Sequence, residues 1–298
     1  MRKVTVAAVQ MSCSWNRDEN IKKADGMLRQ AAARGAQIIL LQELFETPYF
    51  CQKEKPEYFD LATEPDQNPA IRHFQQIAKE LSVVIPVSFF ERSNKAHYNS
   101  IAVIDADGTV LGIYRKSHIP DGPGYEEKYY FNPGDLGVKV WSTAYGKIGV
   151  GICWDQWYPE LARAMVLEGA ELLFYPTAIG SEPQDASIDS IEHWRIVQRG
   201  HAGANLVPVI VANRVGKEQI EDSSITFYGS SFIADEHGQL VESADRTSET
   251  VLIHTFDLDA IRITRSAWGI FRDRRPDVYT AIATYDGSHI HIGSKGKN

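Results

Sequence analysis

The chain has 298 residues, of which 43% are hydrophobic, 10% aromatic and 23% charged. This ordinary globular composition excludes collagen-like, coiled-coil and wholly disordered proteins, and the length allows a sizeable core without disulfides or metals as supports. The formal net charge of −8, with no basic block in the sequence, argues against a nucleic-acid-binding protein.

The cysteine content and the lengths of the apolar runs indicate the cellular compartment of the protein. Cys13, Cys51 and Cys153 form no CxxC pair and no disulfide framework, which predicts a reducing compartment, the cytoplasm. The apolar run at 4–9 is too short for a signal-peptide core, and no run approaches the ~20 residues that span a bilayer. We therefore expect no membrane association.

The first half of the chain alternates strands and helices. Short apolar runs predict strands and longer amphipathic stretches predict helices. In chain order the sequence predicts a strand at 4–10, a helix at 19–34, a strand at 38–42, a helix at 69–81, a strand at 83–91, and a hairpin of 100–105 and 109–115.

The second half repeats this order. The predicted elements are a strand at 147–153, a helix at 160–168, a strand at 171–176, a helix at 190–204, a strand at 207–213, and a hairpin of 230–234 and 239–243. The segment GAQIIL at 35–40 resembles GAELLF at 169–174, so one β-α-β-α-β-β unit is used twice.

Two such halves predict an α/β fold in which two sheets stack with helices outside, a four-layer α-β-β-α sandwich. We expect one domain over residues 1–298. The arginine-rich tail at 260–298 is either an oligomerisation arm or a solvated basic end.

Three predicted strands end in side chains that carry chemistry. Glu43 follows the strand at 38–42, Lys116 follows the hairpin strand at 109–115, and Cys153 ends the strand at 147–153. Ligands of open α/β sheets collect at the carboxyl ends of strands, so a carboxylate, an ammonium and a thiol are predicted to meet. The alternatives are a solvated strand-end glutamate and an inert buried cysteine.

Together these groups suit acyl transfer. The thiolate of Cys153 is the nucleophile, and Glu43 accepts its proton and later returns it to a departing amine. Lys116 lowers the thiol pKa and, with the backbone N–H of Trp154, stabilises the oxyanion. The sequence contains no HExxH or Cys-His zinc spacing, which disfavours a metallohydrolase.

Three separated segments carry a family resemblance. LQELF at 41–45, YRKSHIP at 114–120 and GVGICWD at 149–155 resemble the signature segments of the nitrilase (carbon–nitrogen hydrolase) superfamily. The resemblance implies an α-β-β-α sandwich, a Glu-Lys-Cys triad, no metal or organic cofactor, and a homo-oligomer. It also implies a second glutamate, which we place on Glu127 in YEEKYYF, with Glu126 as the alternative.

Within the superfamily, HIPDGPGY at 118–125, CWDQWYPE at 153–160 and PTAIGSEP at 176–183 are similar to members that hydrolyse a small cationic ureido substrate. A buried ammonium needs a partner, and Glu182 is the first candidate and Asp155 the second. Glu182 is otherwise a solvated loop glutamate and Asp155 a structural residue. The alternative functions are a β-ureidopropionase-like or ω-amidase-like hydrolase, or a catalytically silent binding scaffold of the same fold.

Overall fold

The computed structural model describes residues 1–288. The helices are α1 (Arg17–Ala33), α2 (Pro69–Leu81), α3 (Glu127–Tyr130), α4 (Pro159–Leu167), α5 (Ile191–Asn205) and α6 (Leu258–Trp268). The strands are β1 (Lys3–Gln10), β2 (Ile38–Leu40), β3 (Ile85–Ser93), β4 (Ala96–Ile104), β5 (Val110–Arg115), β6 (Val140–Ser142), β7 (Lys147–Val150), β8 (Leu172–Thr177), β9 (Val209–Asn213), β10 (Val215–Ile220), β11 (Ser223–Tyr228), β12 (Phe232–Ala234), β13 (Leu240–Ser243) and β14 (Thr250–Asp257).

The first half of the chain forms one side of the sandwich. Strands β14, β1 and β2 are neighbours, as are β3, β4 and β5. Two backbone hydrogen bonds join β2 to the segment that leads into β3. The N–H of Ile39 donates to the carbonyl of Val84, and the N–H of Val84 donates to the carbonyl of Gln37. Helices α1 and α2 cover this sheet on its outer face.

The second half forms the other sheet, in the order β13-β12-β9-β8-β7-β6. Strands β7, β8 and β9 run parallel to one another, and β12 and β13 form an antiparallel hairpin beside β9. The first half has the same arrangement, with β1 and β2 parallel and β4 and β5 antiparallel. Strand β1 packs against β9, and α5 packs on β9 from outside. The repeat and the α-β-β-α sandwich predicted from the sequence are therefore confirmed.

Helix α2 shows how local sequence sets an element that the site depends on. The Asn68 side chain accepts a hydrogen bond from the backbone N–H of Ile71 at 2.8 Å, and Pro69 occupies the first turn. The helix ends where Ser82 turns left-handed at φ +54°. The bounds match the predicted helix at 69–81.

The two strands that precede Glu43 and Cys153 end earlier than predicted. The strand expected at 38–42 ends at Leu40, and the one expected at 147–153 ends at Val150. Beyond Leu40 the Gln42 side chain replaces the ladder, because its amide both accepts from and donates to the backbone of Met11, at 3.0 and 2.7 Å. Glu43 and Cys153 therefore lie in connecting segments just past their strands.

Some elements were not predicted. Strands β6 and β14 and the hairpin of β10 and β11 fall in stretches for which the sequence analysis names no strand. Charged and polar residues interrupt β10, where Glu218 is nevertheless buried. A pattern of apolar residues does not reveal such a strand, because its buried position is occupied by a paired carboxylate.

The chain divides into two compact units, Met1–Ile261 and a unit that begins at Arg262. The second unit carries exposed apolar side chains, Trp268 and Ile282 among them. The predicted tail at 260–298 includes residues 289–298, which lie outside the described residues. Among the helices of residues 1–288, none has the length and apolar character needed to cross a membrane.

The cap of α2 yields a stability prediction. Asn68→Ala removes the cap and also the amide that donates to Glu46 Oε1 and Thr63 Oγ1. We expect a loss of about 2–3 kcal/mol in the free energy of unfolding, measured in urea. Asn16→Ala removes only the exposed cap of α1 and should cost about 0.5–1 kcal/mol. Equal losses would contradict the second role of Asn68.

Candidate active site

Glu43 lies buried three residues past β2, in a turn where Leu44 adopts a left-handed backbone at φ +47°. Its Oε1 accepts hydrogen bonds from Asn99 Nδ2 at 2.7 Å and from Lys116 Nζ at 2.9 Å. Its Oε2 has no hydrogen-bond partner within residues 1–288. The carboxylate is therefore oriented through one oxygen while the other can accept a proton.

Lys116 follows β5 and is completely buried. The ammonium donates to Glu43 Oε1 and, at 2.6 Å, to Glu127 Oε2. Burial disfavours the charged lysine, but the negative charges of Glu127 and Glu43 outweigh it and raise the Lys116 pKa. The lysine therefore stays an ammonium, and it can donate to an oxyanion but cannot accept a proton.

Cys153 begins a short 3₁₀ turn, Cys153–Trp157, with a left-handed backbone at φ +39°. A residue other than glycine rarely adopts this conformation, and such strain concentrates at functional sites. Burial and the charge of Glu43 raise the pKa of the thiol, and Lys116 opposes them. The resting side chain is therefore a thiol, which must lose its proton to a nearby base before it can attack.

Asp155 stabilises this turn from inside. Its Oδ2 accepts from the backbone N–H of Ile152 at 2.9 Å and from the Tyr114 hydroxyl at 2.7 Å. Its Oδ1 accepts from the backbone N–H and the ring Nδ1 of His118, at 3.0 and 2.7 Å. Four internal donors occupy both oxygens of Asp155, which favours its structural alternative, and substrate binding by Asp155 stays a prediction.

The second glutamate next to Lys116 is Glu127, whereas Glu126 is partly exposed and makes no contact with the lysine. Glu127 Oε1 accepts from the Tyr49 hydroxyl at 2.7 Å. Burial raises the pKa of Glu127 to about 7, although Lys116 lowers it. Glu127 is thus placed to orient the ammonium from the side opposite Glu43.

The remaining predicted residues are Trp154 and Glu182. Trp154 is partly exposed and packs edge-to-face on Trp157, and the oxyanion role of its backbone N–H stays a prediction. Glu182 is half-buried in the loop after β8, where burial raises its pKa and no cation within residues 1–288 lowers it. Burial raises the pKa of Tyr125, and the charges of Glu182 and Cys153 raise it further. Tyr125 therefore lies near both Glu182 and Cys153.

Sequence reasoning missed the residues that support this cluster. Asn99 is a buried amide on β4, and Tyr49 and Arg214 are also fully buried. His97 and Ser100 beside it are polar as well, so the local pattern does not single out Asn99. Nothing in the local sequence distinguishes Tyr49 from a core aromatic.

Comparison with known proteins identifies the family of the chain. The carbon-nitrogen hydrolase family model matches residues 5–266, and the chain belongs to this family, within the nitrilase superfamily. It is therefore an amide-hydrolysing enzyme.

Individual relatives cover almost the whole chain. It is 61% identical to an N-carbamoylputrescine amidase of Oryza sativa, over 96% of each chain, and 52% identical to a citrullinase of Francisella tularensis, over 95% of this chain and 99% of that one. A carbon-nitrogen hydrolase structure from Helicobacter pylori is similar with a TM-score of 0.89 and 39% identity, over 95% of this chain and 99% of that one.

Replacing each cysteine separately tests the nucleophile. We expect Cys153→Ala to lower kcat by about 10⁴-fold or more, as removal of a nucleophile does elsewhere. Cys51→Ala is a stringent control, because Cys51 is also buried and experiences the charges of Glu127 and Lys116. It should retain most of the activity, as should Cys13→Ala. A substrate-derived adduct mapped by mass spectrometry to Cys51 would overturn the assignment.

Proposed function

We propose that this protein hydrolyses N-carbamoylputrescine to putrescine, carbon dioxide and ammonia, a step of putrescine and hence polyamine synthesis from arginine by way of agmatine. The observation that carries the proposal is the buried ammonium of Lys116 between Glu43 and Glu127, next to a strained cysteine. Relatives about 60% identical over nearly the whole chain are N-carbamoylputrescine amidases, which supports this substrate.

The reaction begins with Cys153. Its thiol passes a proton to the free Oε2 of Glu43 as the sulfur attacks the ureido carbon. Lys116 and the backbone N–H of Trp154 stabilise the oxyanion of the tetrahedral intermediate. Glu43 then returns the proton to the departing nitrogen, so ammonia leaves and a carbamoyl thioester remains on the sulfur.

The second half of the reaction uses the same base. Glu43 accepts a proton from water, whose oxygen attacks the thioester carbon, and the proton passes to the leaving sulfur. The product is the carbamate of putrescine, which loses carbon dioxide to give the free diamine. One water is consumed and no oxidant, metal or organic cofactor is needed. Glu127 orients Lys116 throughout.

The amine end of the substrate is bound by Glu182. An ammonium taken out of water needs a carboxylate partner, since burying it unpaired costs several kcal/mol. Glu182 is half-buried, and within residues 1–288 its Oε2 accepts only a long hydrogen bond from Gln184, at 3.4 Å. A second negative group near Glu182, such as the carboxylate of citrulline, would be repelled.

A substrate panel tests the proposal. Ammonia release is measured on N-carbamoylputrescine, citrulline, N-carbamoyl-β-alanine and an ω-amide of a dicarboxylic acid. We expect the highest kcat/KM on N-carbamoylputrescine. Preference for a substrate that carries a carboxylate would replace the proposal by a citrullinase-like, β-ureidopropionase-like or ω-amidase-like activity, and no turnover of any compound would favour a silent scaffold.

The role of Glu182 predicts a charge-specific loss. Glu182→Gln should weaken kcat/KM for N-carbamoylputrescine by roughly 2–4 kcal/mol, the scale on which truncating one partner of a charge pair acts. N-butylurea, which lacks the amine, should lose much less. Glu126→Gln is the matched control, a partly exposed carboxylate on a nearby loop, and should change neither rate substantially. Equal losses on both substrates would assign Glu182 to loop support.

We further propose that the enzyme is a cytoplasmic homo-oligomer. The three cysteines are unpaired, which suits a reducing compartment. Exposed apolar side chains in the unit from Arg262 onward, such as Val278 and Ile282, suit an arm that contacts another copy.

Light scattering tests the oligomer. A chain truncated after Trp268 keeps the buried Leu258 and Ile261 of α6 and should have a lower apparent mass than the full chain. Equal circular dichroism and melting temperature in the two proteins would show that the fold is intact. A monomeric full-length protein at micromolar concentration would refute the proposal.

A further inference from the structure

Arg214, immediately after β9, is buried completely and extends its guanidinium to the turn that carries Glu43. Its NH2 group donates to the backbone carbonyls of Glu43 at 3.1 Å and Leu44 at 2.7 Å. Its NH1 group donates to the carbonyl of Thr47 at 2.8 Å. One side chain therefore fixes three carbonyls of a turn that includes the left-handed Leu44.

Glu218 on β10 connects this arginine to the other catalytic carboxylate. Its Oε1 accepts from Arg214 at 2.7 Å, and its Oε2 accepts from the backbone N–H of Tyr49 at 2.6 Å. The hydroxyl of the same tyrosine donates to Glu127 at 2.7 Å. A continuous series of buried hydrogen bonds thus runs from the turn of Glu43 through Arg214, Glu218 and Tyr49 to Glu127.

We propose that Arg214 and Glu218 are positioning residues, which set Glu43 and Glu127 at the two sides of Lys116. The proposal rests on the proposed function, in which Glu43 is the proton acceptor. Neither residue touches a reacting atom. Arg214 acts through the backbone carbonyls of the turn that carries Glu43. Glu218 acts through Arg214 and through the backbone N–H of Tyr49, whose hydroxyl donates to Glu127. A buried ion pair is a weak source of stability compared with apolar packing of the same volume, so stability alone gives little reason for this pair.

The physical basis is the sensitivity of proton transfer to distance. The Oε2 atom of Glu43 has no partner within residues 1–288 to hold it, so its location depends on Oε1 and on the backbone of the turn. A displacement of about 1 Å in a catalytic group costs on the order of 100-fold in rate. Loosening the turn therefore slows proton acceptance from Cys153 without removing any substrate contact.

The test compares Glu218→Gln, Arg214→Lys and Tyr49→Phe with Glu91→Gln. Tyr49→Phe removes one hydroxyl and keeps the ring, so it retains the fold if the ion-pair variants do not. Glu91 is the matched control, a buried carboxylate paired with Arg115 at 2.6 Å on the sheet of β3 and β5. Two readouts are taken on the full chain: kcat and KM on N-carbamoylputrescine, and the rate of alkylation by iodoacetamide at each cysteine.

Positioning predicts a specific combination of results. Glu218→Gln and Arg214→Lys should lower kcat by about 10- to 100-fold while KM stays within about threefold. Alkylation of Cys153 should slow by a similar factor while the buried Cys51 stays protected, and Tyr49→Phe should act in the same direction. Glu91→Gln should lower the melting temperature but leave kcat and Cys153 alkylation within about twofold.

A merely structural role predicts the opposite alkylation result. Local unfolding would expose Cys51 and Cys153 together and speed the alkylation of both, and this outcome, or an unchanged kcat, overturns the proposal. Failure of the proposed function is recognised separately, because wild-type protein would then release no ammonia from N-carbamoylputrescine. The alkylation rates would still decide whether the pair positions Glu43.

Discussion

The ammonium of Lys116, buried between Glu43 and Glu127, is the interaction on which the rest of the site depends. A buried ammonium is tolerated only when it is paired and its donors are satisfied, and each carboxylate in turn needs donors of its own. Asn99 supplies one to Glu43 and Tyr49 supplies one to Glu127. The surrounding hydrogen bonds are thus consequences of burying one positive charge, which the proposed mechanism uses to stabilise an oxyanion.

A different group, Asp155, positions Cys153, the proposed nucleophile, relative to the ammonium of Lys116. Asp155 accepts hydrogen bonds from Ile152, just before Cys153, and from His118, two residues after Lys116. One buried carboxylate therefore joins the strained turn to the segment that carries the ammonium. This explains how a left-handed cysteine is maintained, since the cost of its backbone is offset by bonds to a fixed neighbour.

Much of this arrangement could be predicted from sequence, and the failures have a common cause. The apolar periodicity predicted both repeats, because the buried face of each strand or helix is visible in the spacing of apolar residues within that element. It misplaced the ends at Leu40 and Val150, where side chains rather than apolar pattern decide the boundary. The sequence placed the second glutamate on Glu127, with Glu126 as the alternative, and left Asp155 between substrate binding and a structural role. Local sequence cannot decide such roles, because they depend on which distant donors the fold brings within 3 Å.

Charge conservation links the buried environment to the proposed chemistry. With Glu43 and Glu127 both ionised, the ammonium of Lys116 and the neutral thiol of Cys153 leave one net negative charge in this cluster. When the thiol proton moves to Glu43, the negative charge moves from that carboxylate to the sulfur and then to the oxyanion, and the total is unchanged. Moving a charge within a buried cluster avoids the desolvation cost of creating one there. A glutamate base is thus better suited to this interior than a neutral histidine, which would create a new ion pair on accepting the proton.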